Sequence, residues 1–332
     1  MECGDRKGTR QDMARLLNGA ALLALAGAAA ALAGAVAGGA IPLIAIWASF
    51  VHAGAVLAAL AAWWFWRQGA TRWALAAAVV LAGSAAMTGP ALWPSGAPAA
   101  KPGHGAKILL FNLHWNNRDF VAVKALVEAH NPDIVVLQEV FERNRAELRI
   151  LDAAYPYRVE CWTARPCDTL ILSRRSLRET ASFVAWRGVP LGLARAGFEL
   201  DGCPVTLFAA HLNRPWPYRR LGAPATQPAQ TKAFADAIAG WPGPKIVLGD
   251  LNAVTWSPVV RELAAAAQGR ALGGLSGTWP WFLPGPAKLP IDHVIVSKPA
   301  IAGARTVLGA PGSDHHAVLA ELSVPDARAC RP

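Results

Sequence analysis

Apolar positions along the chain follow two different regimes. From Leu16 to Trp66 no Asp, Glu, Lys or Arg interrupts the sequence, and a second uncharged stretch runs from Trp73 to Ala100. A helix needs about 20 apolar residues to cross the hydrocarbon core of a bilayer with its backbone hydrogen bonds satisfied internally. The first stretch is long enough for two such helices, divided by Gly38-Gly39 and Pro42, and predicts spans over 15–38 and 41–66; the second predicts a span over 72–93. Arg10 and Arg15 ahead of small apolar residues also fit a cleaved signal peptide, but a signal h-region is far shorter than this material. Helices buried in a soluble fold would keep a polar face, which these Ala/Leu runs lack.

After the third span the pattern changes. A Gly-, Pro- and Ala-rich linker over 94–106 leads into a domain over 107–325, followed by a tail over 326–332. Short apolar runs bounded by turn residues predict strands at Lys107 to Leu113, Asp133 to Gln138, Thr169 to Ser173, Pro204 to Ala210, Lys245 to Leu248, Ile291 to Val296 and Ala317 to Val324. Helical patterns fall at 118–130, 226–240 and 257–267, the first stopped by Asn131-Pro132. Strands and helices mixed in this way predict an α/β domain with buried sheets and outer helices, in two-sheet or doubly wound form.

Charge adds an orientation. Arg6, Lys7, Arg10 and Arg15 precede the first span, and Arg67 and Arg72 lie between the second and third, whereas the first turn carries no basic residue. The positive-inside rule then puts the amino terminus in the cytoplasm. Three crossings carry the remainder to the far side, which for a bacterial inner membrane is the periplasm or cell exterior. Most of the net charge of +10 lies after the spans. That surplus suits a polyanionic or anionic-lipid substrate, and equally an ordinary solvated basic surface. Cys161 and Cys167 fit either a short disulfide loop or two unpaired thiols.

Several apolar runs end in the same manner. Ile-Val-Val-Leu leads into Gln138-Glu139, the run from Val205 leads into His211-Leu212-Asn213, and Lys245-Ile-Val-Leu leads into Gly249-Asp250-Leu251-Asn252. Buried strands that finish in carboxylates, imidazoles and amides collect those groups at one edge of the sheets, where a pocket can form. Any one of these could be ordinary loop polarity.

Taken together, Lys107-Ile-Leu-Leu-Phe-Asn112, Pro132 to Glu139, His211-Leu212, Gly249 to Asn252, Ile291-Asp292-His293 and Gly312-Ser313-Asp314-His315 form a series. This succession resembles the endonuclease/exonuclease/phosphatase superfamily over roughly Lys107 to Pro325. The resemblance implies a four-layer α/β/β/α sandwich and a phosphodiesterase dependent on Mg²⁺ or Mn²⁺. It implies that Glu139 is the main metal carboxylate, with Asn112 and Asp314 near the same ion. It implies His315 as general acid/base oriented by Asp292, and Asp250 as the group that positions or deprotonates the attacking water. Asn252 would donate to non-bridging phosphate oxygens, and His211 would contact the phosphate or assist the leaving group. His293 and His316 are expected to be structural or solvent-facing. Asn117 either borders the site or begins a helix.

Trp115, Trp216, Trp256, Trp279 and Trp281 lie near these motifs and serve either as stacking or lipid-facing aromatics or as packing. Arg214-Pro-Trp-Pro-Tyr-Arg-Arg220 is the expected substrate-facing loop, or else a Pro-stiffened solvated one. Three functional readings follow: a nuclease- or phosphatase-type phosphodiesterase, a phospholipid or sphingomyelin-type phosphodiesterase, and a membrane-tethered binding or scaffold module without chemistry.

Overall fold

A computed structural model describes residues 5–92, 105–161, 167–215, 226–298 and 301–330. The chain divides into two compact units, the first being Met1–Leu92 with Trp256–Pro258 and the second Trp93–Thr255 with Val259–Pro332.

The first unit contains α1 (Asp5–Ala37), a 3₁₀ segment at Pro42–Phe50, α2 (Val51–Arg67) and α3 (Thr71–Leu92). Three stretches, Gln11–Ala37, Leu43–Arg67 and Thr71–Ala91, are long and apolar enough to cross a membrane. The second expected span is thus continuous in reach but tightens to 3₁₀ geometry in its first half, where Pro42 removes a backbone donor. A Cβ at Gly54 would lie 3.2 Å from Ala28 Cα, so the small residue lets α2 approach α1 closely. Leu16, Leu23, Leu60, Trp63, Trp66 and Val79 are exposed on these helices. That band of large apolar side chains calls for an apolar surrounding medium.

The second unit holds two six-stranded sheets. The first sheet uses β1 (Ala106–Asn112), β2 (Ile134–Gln138), β3 (Tyr157–Cys161), β4 (Thr169–Ser173), β11 (Ala302–Val307) and β12 (Val318–Ser323) in the order β11-β12-β1-β2-β4-β3. The second uses β5 (Arg178–Trp186), β6 (Val189–Leu200), β7 (Cys203–Ala210), β8 (Lys245–Asp250), β9 (Gly269–Leu272) and β10 (Asp292–Ser297) in the order β5-β6-β7-β8-β10-β9. Helix α4 (Phe120–His130) covers the first sheet, α6 (Gln227–Ala239) and α7 (Pro258–Ala266) cover the second, and a short α5 (Arg145–Leu148) follows β2.

Strand alternation explains the unbroken apolar runs. Ile108 and Leu110 of β1 face inward with Val136, Leu207, Ile246, Leu248 and Val294 in the core between the sheets. Leu109 and Phe111 face outward against Phe120, Val123 and Val127 of α4. Phe234, Ile238, Val260 and Leu263 cover the other sheet in the same way. Because both faces of each central strand are buried, period-2 polarity disappears and only continuous hydrophobicity remains. The four-layer arrangement is as the family resemblance implies.

Cys161 pairs with Cys167, with Cα atoms 4.9 Å apart, and Cys203 pairs with Cys330 at 5.7 Å. The first resolves the open choice in favour of a bridge, and the second, 127 residues apart in sequence, staples the end of the chain to the start of β7.

Candidate active site

Topology brings the polar strand ends together. β1 and β2 run parallel with Asn112 opposite Gln138, so Asn112, Gln138 and Glu139 emerge at the same edge. β4 runs antiparallel to β2, which returns Asp168, just before its first residue, to that edge. In the other sheet β7 and β8 run parallel, β7 stopping one residue before His211 and β8 ending at Asp250, while antiparallel β10 begins with Asp292 directly opposite Asp250. β12, antiparallel to β1, begins just after Ser313-Asp314-His315.

Hydrogen bonds tie the two edges into one site. Asn112 Nδ2 donates to Glu139 Oε1 at 3.2 Å and to Asp250 Oδ2 at 3.1 Å, linking the first sheet to the second. The Asp250 amide donates to Gln138 Oε1 at 2.7 Å, a second link. The Trp115 amide donates to Glu139 Oε2, and the His114 amide to Asn112 Oδ1. Glu139 and Asn252 have positive φ, 57° and 48°. Left-handed backbone is uncommon for a glutamate and aims the carboxylate out of the strand line, a placement that surrounding contacts must hold.

Two histidines flank Asp250. His315 Nδ1 donates to Asp292 Oδ2 at 3.0 Å, and its Nε2 lies 3.7 Å from Asp250 Oδ2. His211 Nδ1 donates to Asp168 Oδ2 at 2.8 Å, and its Nε2 lies 3.6 Å from Asp250 Oδ2. Burial opposes charge on both rings, but the facing carboxylates outweigh it and raise His315 to about 9 and His211 to about 10. Burial raises Asp250 to about 6 against the pull of His315 and His211. Burial also disfavours the charged form of Asp292, yet the His315 cation holds that carboxyl below its ordinary value. A carboxylate poised near neutrality between two imidazolium rings can accept a proton without leaving the charged network uncompensated.

This ion pairing predicts a pH dependence. Each histidine's raised value stabilises the fold fully below the unfolded value of about 6.5, and that stabilisation is lost as pH rises through about 9 to 10. Asp250 contributes with the same sign, but in a lower range, between its ordinary value and about 6. In chelator-treated protein the Tm is therefore expected to fall between about pH 7 and pH 10, and to fall less in His315→Gln. Equal slopes in the two proteins, read by calorimetry, would contradict the assignment.

The donor chemistry here suits a hard cation. Glu139, Asn112 and Asp314 offer oxygens only, as Mg²⁺ or Mn²⁺ prefers. Glu139 and Asn112 are in direct contact. Asp314 reaches them indirectly: its neighbour Ser313 donates to the Asn112 carbonyl at 2.7 Å, while Asp314 Oδ2 accepts from Trp279 Nε1 at 2.9 Å. A second grouping, Asp250, Asp292 and His315, has ligand-type atoms all within 4.8 Å of one another. Both His315 nitrogens in that grouping already face carboxylates, which favours an imidazolium there over a metal-bound neutral ring. Asp292 Oδ1 is buried without a hydrogen-bond partner among the described residues.

Other expectations resolve individually. Asn117 is buried and donates to the Pro311 carbonyl at 2.9 Å, so it braces the turn before Ser313. His293 is buried against the Ala253 carbonyl at 2.7 Å, with burial lowering it to about 4, so it serves structurally as a neutral ring. Trp256 is buried, Trp115 and Trp281 are exposed, and Trp216, with the rest of the loop through Arg220, lies outside the described residues. Sequence reasoning missed Asp168 and the sheet-bridging role of Gln138. A lone Asp before a strand carries no signal until topology sets it beside His211. Asp168→Asn, which removes the charged acceptor of His211, is expected to lower kcat about tenfold in steady-state assays.

The family model for the endonuclease/exonuclease/phosphatase group matches residues 109–315. The chain belongs to the endonuclease/exonuclease/phosphatase family. Its members are hydrolases that act on phosphate esters. Among solved structures it is similar to truncated TDP2 from Caenorhabditis elegans, with 22% identity and a TM-score of 0.51, covering 67% of this chain and 99% of that one. TDP2 from D. rerio complexed with single-strand DNA product gives 16% identity and a TM-score of 0.52, covering 66% and 99%. A beta toxin variant from Staphylococcus aureus with bound magnesium ions gives 16% and 0.52, covering 65% and 99%. These likenesses establish the shared fold. No curated protein matches the chain.

Proposed function

We propose that the protein is a membrane-anchored phosphodiesterase, dependent on a divalent cation, that hydrolyses a phosphate ester by in-line attack of water. The observation that carries this reading is the double link of Asn112 and Gln138 to Asp250, which joins the two strand-end clusters into one site. Glu139, with Asn112 and Asp314, would hold the cation, Mg²⁺ or Mn²⁺. When bound, that ion neutralises charge building on the phosphate oxygens. Asp250, raised toward neutrality by burial, orients the attacking water and takes its proton. His315, held by Asp292, donates to a non-bridging oxygen. Asn252 Nδ2 donates to the Leu212 carbonyl at 2.8 Å and lies 3.4 Å from His211 Nε2, which sets the amide beside that ring, where it meets a non-bridging phosphate oxygen of the substrate. His211, held by Asp168, supplies a proton toward the departing oxygen.

The three apolar helices support anchoring, and the basic residues beside them support a cytoplasmic amino terminus with the catalytic unit on the periplasmic or exterior side. The two cysteine pairs favour the same side, since disulfides persist in oxidising compartments. A carboxyl-terminal reporter active only in the cytoplasm would reverse that orientation. The leading substrate is nucleic acid, in keeping with the basic catalytic unit and with the DNA product held by one structural neighbour. A phospholipid head group is the second reading, favoured by the anchor itself. The test is turnover of a chromogenic phosphodiester by the full chain in detergent, with Mg²⁺, Mn²⁺ or chelator. Metal-dependent release of chromophore supports the enzyme; tight metal binding without turnover, on this and on DNA and phospholipid substrates, would return the scaffold reading.

A further inference from the structure

Just beyond the carboxylate at the end of β2 stands an arginine that the proposed chemistry does not use. Arg143 lies in the 3₁₀ turn Glu142–Asn144, four residues after Glu139. Its guanidinium carbon sits 5.1 Å from the Phe141 ring centroid and 5.4 Å from that of Trp115, and its Nη2 donates to the Trp115 carbonyl. The amide of the same Trp115 donates to Glu139 Oε2. The cation is thus fixed one residue away from the carboxylate expected to carry the metal.

Three properties separate this arginine from an ordinary surface one. It is exposed, yet two aromatic contacts and a hydrogen bond remove the rotamer freedom that normally makes capture of an anion costly. Its acidic neighbour Glu142 is already engaged by Arg145 at 3.3 Å. Among the described residues no carboxylate pairs with Arg143 itself, so its remaining N–H groups are available. A planar guanidinium held in this way suits bidentate capture of a phosphate.

We propose that Arg143, clamped by Trp115 and Phe141, is an anion subsite that binds a second phosphate of the substrate, one step away from the phosphate that is cleaved. The inference rests on the phosphodiesterase reading and deepens it: the preferred substrate carries at least two phosphates, as a polynucleotide does. A diester with a single phosphate occupies only the reaction centre.

The test uses the full chain in detergent and two arms. In the kinetic arm the p-nitrophenyl ester of thymidine 5′-phosphate is compared with the same ester bearing a 3′-phosphate. Arg143→Ala is expected to raise KM about tenfold for the 3′-phosphorylated ester alone, with kcat and the other ester unchanged. Phe141→Leu, which keeps bulk but removes one ring, is expected to give a smaller rise of the same selectivity. Equal effects on both esters, or none on either, would overturn the subsite. The binding arm is independent of turnover and compares adenosine 3′,5′-bisphosphate with adenosine 5′-monophosphate by calorimetry. Tighter binding of the bisphosphate by the natural protein, lost in Arg143→Ala, supports the subsite even if no ester is hydrolysed, and equal binding of the two by the natural protein overturns it.

Discussion

Asp250→Asn is expected to lower kcat for phosphodiester hydrolysis by about 10²- to 10⁴-fold, with little change in KM. The side chain is buried, receives Asn112 Nδ2 at 3.1 Å, and stands within 3.7 Å of the Nε2 atoms of both His211 and His315. Among the described residues no other carboxylate has that position, so loss of its charge would remove the proposed proton acceptor and leave two imidazolium rings facing a neutral amide. Asparagine nearly preserves the shape and can still meet Asn112. A melting curve close to that of the natural protein would therefore assign the lost rate to chemistry, whereas unchanged kcat in a folded variant would remove Asp250 from the mechanism.

The second large effect is on the backbone beside it. Gly249 has φ of +151°, and a Cβ there would meet the Ala210 carbonyl oxygen at 1.9 Å and Gln138 Nε2 at 2.9 Å. Neither neighbour can retreat cheaply: Ala210 closes β7, and Gln138 carries the link from β2 to Asp250. Gly249→Ala is therefore expected to cost about 3 kcal/mol or more, lowering Tm by about 6–12 °C in a domain of this size. Activity should fall as well, because the displaced residue adjoins Asp250. A variant that melts with the natural protein would show that the close approach of β7 and β8 at this point is not needed.

The parts of this structure legible in the sequence are those where one strong physical requirement dominates. Uncharged stretches longer than a bilayer is thick leave few alternatives to apolar helices, and all three appear. Central strands buried on both faces, such as Ile134–Gln138 and Lys245–Asp250, stand out as continuous apolar runs. Strands at or beside sheet edges did not. β5 (Arg178–Trp186) is mostly solvent-facing, and β11 begins Ala-Gly-Ala-Arg, so neither shows a hydrophobic signature. β6 was hidden differently, because Val189–Leu200 includes Pro190, Gly192, Arg195 and Gly197, which read as breakers when the partner strands on either side are unknown.

The site shows the same division. Asn112, Glu139, His211, Asp250, Asn252, Asp292 and His315 announce themselves because each follows or begins an apolar run within a recognisable motif, and the topology gathers them at one edge. Asp314 is adjacent in sequence to His315, and Trp279 Nε1 donates to its Oδ2 at 2.9 Å, a contact that fixes the carboxylate while engaging only one of its two oxygens. Asp168 and Arg143 have no local signature. Their significance comes from a partner distant in sequence, His211 for one and Trp115 for the other, and only the folded chain supplies it.

The most direct test of the central claim is to hydrolyse a chromogenic phosphodiester with the full chain and Mg²⁺ or Mn²⁺ in ¹⁸O-labelled water, then weigh both products by mass spectrometry. Attack of water on phosphorus predicts one labelled oxygen in the phosphate product and none in the released alcohol, with no product when chelator is added. Label in the alcohol, or equal turnover with chelator present, would contradict the account.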